Sequence, residues 1–435
     1  MRRPQRDPSR VRGRWRPGRG AFVALACAAT GGLLAIGSAV SAAAAPAPGS
    51  LDTTFGTGGK ALTSLGVNGG VPSDAILQSN GDIVVSGSFG LARFQSDGQL
   101  DTTFGSGGFA AVNLPFDGEN PSTLAVQPDG KIIWAGTEGN PNFVPGGTFQ
   151  FAAARFTANG TLDTSFGTNG VATTEFFSPP LQGAQEFADA VVVQPDGKIV
   201  VAGSARQGQN KFAPTQAAIA RFNSNGTLDT SFGAGGNVLS ATHGAVAALG
   251  LDAAGDIFVL PSLAEFSPSG QADATITPAA ITTSSHGGDA AFLANGQFVI
   301  ASSVGVAKHD VDVQVQRFNA DGSVASTSPA FDYSGATGID QGRDGANAVA
   351  VQANGQALVG GSHFQSTAVF GLARVNADGT LDSTFGTGGT VLTSVNGDDA
   401  IDALLVQPDG KIIAVGFSEN NSTGVVFIAL ARYNA

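Results

Sequence analysis

Three acidic residues have the side chains and the loop positions that acid–base chemistry would need. Glu175, Glu186 and Asp332 each fall in a segment with the sequence character of a loop. Hydrolysis of a glycosidic bond uses two carboxyl groups about 5–10 Å apart, one as the acid and the other as base or nucleophile. The three residues are scattered along the chain, and the sequence leaves open whether any two of them meet. An extracellular polysaccharide hydrolase or lyase is therefore one interpretation, but not the leading one.

Metal and cofactor chemistry has little support in the sequence. The four histidines fall in different segments and share no ligand spacing: His243, His286, His309 and His363. No nucleophile elbow, phosphate loop or dinucleotide-binding fingerprint is present. Short polar residues recur where strands begin: Asp74, Ser122, Asp189, Asp289, Asn347 and Asp402. They could offer oxygen ligands to a cation at one mouth of a central channel, but we favour turn capping by these short side chains. We expect no catalytic set, no metal and no cofactor.

Aromatic residues in or beside the loops form a second candidate site. Such rings could stack on sugars or pack against a protein partner, although anchoring of the loop is the alternative for any one of them. The candidates are Phe143, Phe149, Phe176, Phe177, Phe212, Tyr333 and Phe364. They favour a secreted, non-enzymatic scaffold for binding or adhesion, with an extracellular polysaccharide or a protein as its partner.

A repeated segment dictates how these residues are positioned. The string Leu-Asp-Ser-Thr-Phe-Gly at Leu381–Gly386 has close copies that begin at Leu51, Leu100, Leu162 and Leu228. Each repeat also contains two apolar runs joined by a Pro-Asp-Gly type of turn, which is a hairpin signal because Gly supplies the positive φ. Seven such turns occur, at Asn80-Gly81, Asp129-Gly130, Asp196-Gly197, Ala254-Gly255, Asn295-Gly296, Asn354-Gly355 and Asp409-Gly410. Seven repeats of about 55 residues with four short strands each predict an all-β, seven-bladed β-propeller over residues 51–435.

The ends of this region predict that the ring closes. The last repeat stops at Ala429–Ala435, where the other repeats continue into the Leu-Asp-x-x-Phe-Gly segment, and Leu51–Gly56 supplies the missing copy. We interpret that segment as the connection between blades. The turns of one face are then nearly constant, and the variable connections gather on the opposite face. Insertions on one face of a repeat array often mark its binding face.

The repeated strings resemble a known family. Leu-Asp-Thr-Ser-Phe-Gly, Gln-Pro-Asp-Gly-Lys-Ile-Val-Val-Ala-Gly and Ala-Arg-Phe-Asn-x-x-Gly are similar to the delta-60 repeat, a bacterial propeller-type repeat of unknown function. The resemblance covers residues 51–435 and is weakest in the fourth and fifth repeats. It implies a propeller of secreted or surface proteins and brings no catalytic residues.

An Arg and an Asp keep one spacing through most repeats. We predict structural ion pairs that tie the fourth strand of a repeat to the connector after it. The pairs are Arg93 with Asp101, Arg155 with Asp163, Arg221 with Asp229, Arg374 with Asp382 and, across the closure, Arg432 with Asp52. A binding residue rarely needs to be copied into every blade, so we favour the structural role.

The first 45 residues differ in kind from the rest. Eight Arg precede an apolar run over 21–40 and a string of small residues, which is the pattern of a secretory signal peptide, with a retained membrane anchor as the alternative. Residues 46–50 form a short linker. Without residues 1–45 the chain has a net charge of about −19 and no Cys, which disfavours binding to nucleic acid or to anionic membranes. We expect a secreted monomer.

Overall fold

The computed structural model of the protein describes residues 45–67, 70–111, 123–139, 149–177, 184–208, 214–243, 246, 248–260, 264–273, 288–307, 310–335, 343–364 and 366–435. The predicted signal peptide over 1–45 lies, apart from its last residue, outside these ranges. None of the described segments contains a helix of the length and hydropathy that crossing a membrane requires. The described elements are all β-strands.

The strands fall into seven four-stranded blades within the described residues. Blade 1 contains β2 (Pro72–Leu77), β3 (Ile83–Gly87), β4 (Gly90–Phe94) and β5 (Phe109–Ala110). Blade 2 contains β6 (Thr123–Val126), β7 (Ile132–Gly139), β8 (Phe149–Phe156) and β9 (Val171–Thr174). Blade 3 contains β10 (Gln185–Val193), β11 (Ile199–Arg206), β12 (Thr215–Phe222) and β13 (Asn237–His243). Blade 4 contains β14 (Ala248–Leu251), β15 (Ile257–Leu260), β16 (Ala264–Phe266) and β17 (Ala272–Asp273).

The remaining three blades follow the same order. Blade 5 contains β18 (Gly288–Phe292), β19 (Phe298–Ala307), β20 (Asp310–Phe318) and β21 (Val324–Thr327). Blade 6 contains β22 (Arg343–Val351), β23 (Ala357–Phe364), β24 (Ala368–Val375) and β25 (Thr390–Thr393). Blade 7 contains β26 (Asp398–Val406), β27 (Ile412–Asn420), β28 (Val425–Tyr433) and the first strand of the chain, β1 (Lys60–Val67). This seven-bladed β-propeller confirms the predicted fold class.

The inner strands of neighbouring blades contact one another all the way round, so the ring is closed. The closure is made by β1, which pairs antiparallel with β28 as the outer strand of blade 7, with Lys60 opposite Ala431. The seven predicted hairpin turns join the inner strand of each blade to its second strand. In the first of them Gln78 N–H donates to Asp82 O at 2.8 Å, and Gly81 adopts a φ of +88°.

The core lies between the blades. Seven clusters of buried apolar residues occur in the described part of the chain, and each is shared by two adjacent blades. Middle strands are therefore covered on both faces, and Ile83–Gly87 is buried along its whole length. This explains why Ile83, Val84 and Val85 follow one another without a polar residue between them, since alternation is needed only where one face is solvated. The outer strand Val324–Thr327 is mostly exposed.

The predicted boundary between blades is wrong by one strand, because we interpreted the Leu-Asp-x-x-Phe-Gly segment as the connection between blades. The segment Leu100–Gly108 joins β4 to β5, and both strands belong to blade 1. The Leu-Asp-x-x-Phe-Gly segment is therefore a connector inside a blade, and each blade ends on the strand after it. The sequence repeat indicates the length of a blade but not the residue at which each blade begins, because that depends on which strands pair. The assignment of faces is unaffected, because the connector still emerges at the same end as the hairpin turn.

The five repeated Arg–Asp pairs are ion pairs in the structure. Arg Nε lies 2.8–3.0 Å from Asp Oδ2 in every one of them. In the first, Oδ1 of Asp101 accepts instead from Thr103, so the guanidinium holds one oxygen rather than both. Arg93 also lies 4.8 Å over the Phe104 ring and donates to Ala158 O of blade 2 at 2.7 Å. The Arg therefore links its own connector to the next blade.

Candidate functional site

The candidate site lies at one end of the propeller, which we call the variable-loop face. It carries the loops from the second to the third strand of each blade and from each outer strand to the next inner strand. The loops from the second to the third strand vary in length, from the tight Gly87–Gly90 turn to the segment between Gly139 and Phe149. The opposite end carries the hairpin turns, which repeat one hydrogen-bond pattern in all seven blades, and the connectors, which repeat one pattern in five. The connectors of blades 4 and 5 are shorter and differ. Most of the variation thus lies on the variable-loop face.

Three buried acids occupy one position on this face. Glu186, Asp344 and Asp399 are each the second residue of an inner strand, in blades 3, 6 and 7. Each accepts a hydrogen bond from a backbone N–H of the loop that precedes its strand. The donors are Phe176 for Glu186 at 3.0 Å, Tyr333 for Asp344 at 2.8 Å and Val395 for Asp399 at 2.7 Å. We call these residues the loop-holding acids, since each fixes an outer-to-inner loop to its blade.

Burial raises the pKa of all three loop-holding acids. For Glu186, burial is the main cause and the nearby charge of Glu175 adds to it, while the N–H groups of Phe176 and Phe177 oppose it; the pKa is raised to about 7. The pKa of Asp344 and of Asp399 is also above its usual range, again chiefly through burial. Two of the carboxylates singled out from the sequence, Glu175 and Glu186, therefore do interact.

The third of those carboxylates, Asp332, belongs to a separate cluster in blade 6. Its Oδ1 lies 3.7 Å from Nδ1 of His363, which is 2.7 Å from Oδ1 of Asp344. Asp344 and His363 are register partners on β22 and β23. All three side chains are buried, and each offers a ligand atom within 4.8 Å of the others. Within the described residues this is the one group of three such side chains that could hold a metal ion.

The sequence did not reveal this cluster. His363 shares no motif spacing with its partners, because strand pairing and not sequence proximity brings them together. A weak signal was available: Glu186, Asp344 and Asp399 each stand eight residues before the Gln that opens a hairpin turn. That shared offset identifies the loop-holding acids but not the histidine.

The predicted aromatic site is only partly brought together. Phe143 and Phe212 lie outside the described residues. Phe149 and Tyr333 are buried, which corrects the expectation that these loop aromatics are exposed or semi-exposed. The Phe149 ring packs 5.5 Å from that of Phe187, and the Tyr333 hydroxyl donates to Gly345 O at 3.3 Å, so both rings anchor the structure.

Three of the predicted aromatics remain partly exposed. Phe176 and Phe177 are half-buried in the loop that follows β9, and Phe364 is half-buried at the end of β23. The Phe176 ring still packs edge-on at 4.8 Å from Phe151. Phe89, in the tight turn of blade 1, is also half-buried on this face and was missed by the sequence analysis. Accessible aromatic surface thus occurs in blade 1, in the loop between blades 2 and 3, and in blade 6.

The polar residues at the inner-strand starts mainly join neighbouring blades. Asp74 Oδ2 accepts from Leu124 N–H, and Asp289 Oδ2 accepts from Val349 N–H, both at 2.9 Å. Each bond crosses to the inner strand of the next blade. This role differs from both expectations, a channel cation and turn capping, because the acceptors bind strand backbone rather than a turn.

The other members of that set fall at bulges. Asp189, Asn347 and Asp402 each stand where the inner strand skips one pairing partner. Asn347 Nδ2 donates across to Ile401 O at 3.0 Å, and burial holds the pKa of Asp189 well above its usual range. Ser122 lies outside the described residues. An extra residue at a bulge re-aims its side chain, and at Asn347 this directs the amide to the inner strand of blade 7.

Comparison with protein families supports the repeat architecture. Five segments match the family model described as "Domain of unknown function (DUF5122) beta-propeller": residues 78–104, 127–166, 194–232, 352–385 and 407–435. They fall in blades 1, 2, 3, 6 and 7, where the repeat strings are most regular. The chain therefore resembles a propeller-repeat family of unknown function, and the delta-60 name remains a prediction. A comparison with curated proteins found no match.

Solved structures with a similar fold are distant. A protein of unknown function from Bacteroides caccae is 13% identical with a TM-score of 0.38, and the match covers 74% of this chain and 93% of that one. A second, from Dyadobacter fermentans, is 12% identical with a TM-score of 0.41, covering 71% and 93%. A PL25 ulvan lyase is 13% identical with a TM-score of 0.46, covering 85% and 94%. Similarity at this level carries no argument about ligand or activity.

Proposed function

We propose that the protein is a secreted, non-enzymatic binding scaffold whose ligand contacts the variable-loop face. The observation that carries this proposal is the contrast between the two ends of the propeller. The hairpin turns repeat one pattern of bonds in all seven blades and the connectors repeat one in five, whereas the loops of the variable-loop face differ from blade to blade. A rigid scaffold whose loops vary mainly at one end is typical of binding proteins.

The half-buried aromatics give that face its chemistry. Phe177 and Phe364 expose part of their rings beside loops of different blades. Aromatic faces pack against sugar rings or against apolar groups of a protein. We infer an extracellular polysaccharide or protein as the partner and a monomeric scaffold. The acidic net charge of the chain argues against nucleic acid.

Co-sedimentation tests this proposal directly. The purified protein without residues 1–45 is mixed with insoluble polysaccharides and with cell-wall sacculi, and the supernatant is assayed for released sugars. We expect retention without release, and we expect the double variant Phe177→Ala/Phe364→Ala to be retained less. Leu162→Ala is the matched control, because Leu162 is an exposed apolar side chain of a connector on the opposite face. Equal loss in both variants would contradict the proposed face.

A polysaccharide hydrolase or lyase is the second candidate, favoured by one observation. Glu186 has a pKa of about 7 and lies near Glu175, and such a pair could divide the roles of acid and base. Sugar release that is abolished by Glu186→Gln would establish this function and overturn the scaffold. If the protein is not retained and releases no sugar, a polysaccharide is ruled out as its partner. A protein partner then remains, which capture from the surface of the producing cell would test.

A further inference from the structure

The cluster of Asp332, Asp344 and His363 carries an inference that does not depend on the proposed binding function. Asp332 follows the outer strand of blade 5, whereas Asp344 and His363 face each other on the first two strands of blade 6. The fold therefore brings two carboxylates and one imidazole together from three separate chain segments. All three side chains are at least nine-tenths buried.

The cluster contains two carboxylates and one imidazole. His363 is the cation-forming side chain that pairs with these two carboxylates in the described part of the chain. A protonated imidazole neutralises one buried carboxylate and leaves the other, and buried charges are normally paired or bound to metal ions. A single divalent cation would neutralise both carboxylates at once.

The distances suit such an ion. Zn²⁺ binds imidazole nitrogen and carboxylate oxygen at about 2.0–2.2 Å, so its ligand atoms lie roughly 3–4 Å from one another. Here Nδ1 of His363 lies 2.7 Å from Asp344 Oδ1 and 3.7 Å from Asp332 Oδ1. Shifts of a few tenths of an ångström would admit the ion, which would take the place of the proton shared by Nδ1 and Asp344.

Both carboxylates are already oriented by the backbone. Tyr333 N–H donates to Asp344 Oδ2 at 2.8 Å, which leaves Oδ1 directed at the imidazole. Ser334 N–H donates to Asp332 Oδ1. Metal-ligating carboxylates are typically held by such outer hydrogen bonds, which fix the ligand before the ion arrives.

We propose that Asp332, Asp344 and His363 bind one divalent transition-metal ion, for which Zn²⁺ is the best match. One nitrogen and two oxygen ligands suit Zn²⁺ or Mn²⁺ better than Ca²⁺, which takes oxygen ligands alone. Three protein ligands leave at least one coordination position open for water or a ligand group. The bound ion ties the loop between blades 5 and 6 to the first two strands of blade 6.

Calorimetric titration of Zn²⁺ into the metal-stripped protein tests this site. We expect one ion per chain, with release of a proton, and a melting temperature that rises with Zn²⁺ concentration as linkage requires. Outer-shell substitutions typically weaken metal binding by about 10- to 100-fold, so loss of a ligand in Asp332→Asn or His363→Asn should cost at least that much. Glu186→Gln is the matched control, because it alters the equivalent loop-holding acid of blade 3, and it should bind normally.

Two further measurements keep the test decisive if a variant folds poorly. Co²⁺ should give visible absorption bands in the wild-type protein that are lost in Asp332→Asn, while Ca²⁺ should not compete for the site. His243→Asn removes the imidazole of a residue on β13 in blade 3 and should change nothing. The proposal is overturned if the wild-type protein binds no Zn²⁺ at this stoichiometry. It is also overturned if Asp332→Asn binds Zn²⁺ as tightly as the wild type, or if His243→Asn abolishes the binding.

Discussion

The Nε of Arg432 donates a 2.8 Å hydrogen bond to Oδ2 of Asp52, although the two residues stand 380 positions apart. The same guanidinium lies 4.8 Å over the Phe55 ring and donates to Ser96 O of blade 1 at 2.7 Å. These are the contacts that Arg93 makes with Asp101, Phe104 and blade 2. The contacts that link blade 7 to blade 1 and close the ring are therefore the same as those that link blade 1 to blade 2.

Replacing one of these arginines should destabilise the protein far more than replacing an exposed cation on the same carboxylate. Asp229 is paired with buried Arg221 at 2.9 Å and with Lys198 at 3.5 Å, and the Lys198 side chain is about one third exposed. We expect Arg221→Ala to lower the free energy of unfolding by about 3–5 kcal/mol, because it removes the buried guanidinium that pairs with the buried Asp229 carboxylate. Lys198→Ala should cost about 1 kcal/mol or less. Urea titration followed by circular dichroism measures both, and equal costs would refute a structural role for the arginine.

Substitutions at two glycines measure the cost of backbone strain apart from the cost of disturbed packing between blades. Gly160 of blade 2 has a φ of +80°, and a Cβ there would lie 2.7 Å from Cζ of Phe104 in blade 1. Gly107 has a φ of +64°, and a Cβ there would meet no described atom within 4 Å. Gly107→Ala should cost about 1–2 kcal/mol for the left-handed backbone alone. Gly160→Ala should cost about 1–3 kcal/mol more, because the methyl group must displace the ring. The same urea titration compares them; similar values would mean that the ring yields freely.

The pH dependence of stability should report on Glu186. Its pKa of about 7 in the folded protein exceeds the ordinary value of 4.5, so the folded state holds this proton more tightly than the unfolded chain. The resulting stabilisation is complete below pH 4.5 and is lost as the pH rises through about 7. Glu186→Gln should remove that contribution. Unfolding of both proteins between pH 4 and 8 measures the difference, and parallel curves would contradict the shifted pKa.

Glu175→Gln refines the same experiment. The Glu175 charge helps to raise the pKa of Glu186, so its removal should shift the loss of stability to lower pH. Asp409→Asn, which alters an exposed hairpin carboxylate, serves as the control and should leave the profile unchanged.

The corrected aromatic assignments predict a difference between two phenylalanines. Phe149 is buried against Phe187, whereas Phe364 is half-buried at the end of β23. Phe149→Ala should lower the free energy of unfolding by about 3–5 kcal/mol. Phe364→Ala should lower it by roughly 1 kcal/mol, because folding buries less of the apolar surface of Phe364. Thermal unfolding distinguishes the two. A larger effect at Phe364 would mean that its ring is part of the core.

The sequence could predict the contacts that are local and repeated. Arg93 and Asp101 are eight positions apart and recur in register, so their pairing follows from the repeat alone. The pairing of Asp344 with His363 depends on the register of two strands, and the approach of Asp332 depends on the path of a loop that is not repeated. Sequence position also placed Tyr333 in a loop without indicating that its ring turns inward. The candidate site was therefore found only in part, because it is built from exceptions to the repeat.

The pairing of β1 with β28 sets the order in which the protein can mature. A ribosome makes β1 before every other described strand and β28 after them, so blades 1 to 6 can assemble during translation while blade 7 cannot. Until β28 emerges, β1 and the flanks of blades 1 and 6 expose unpaired edges and apolar surface that favour aggregation. The entropic cost of the long closure grows only logarithmically with its length, by about 0.6 kcal/mol per doubling. The vulnerable period is thus governed by the time between the synthesis of β1 and that of β28, and it ends when these two strands pair.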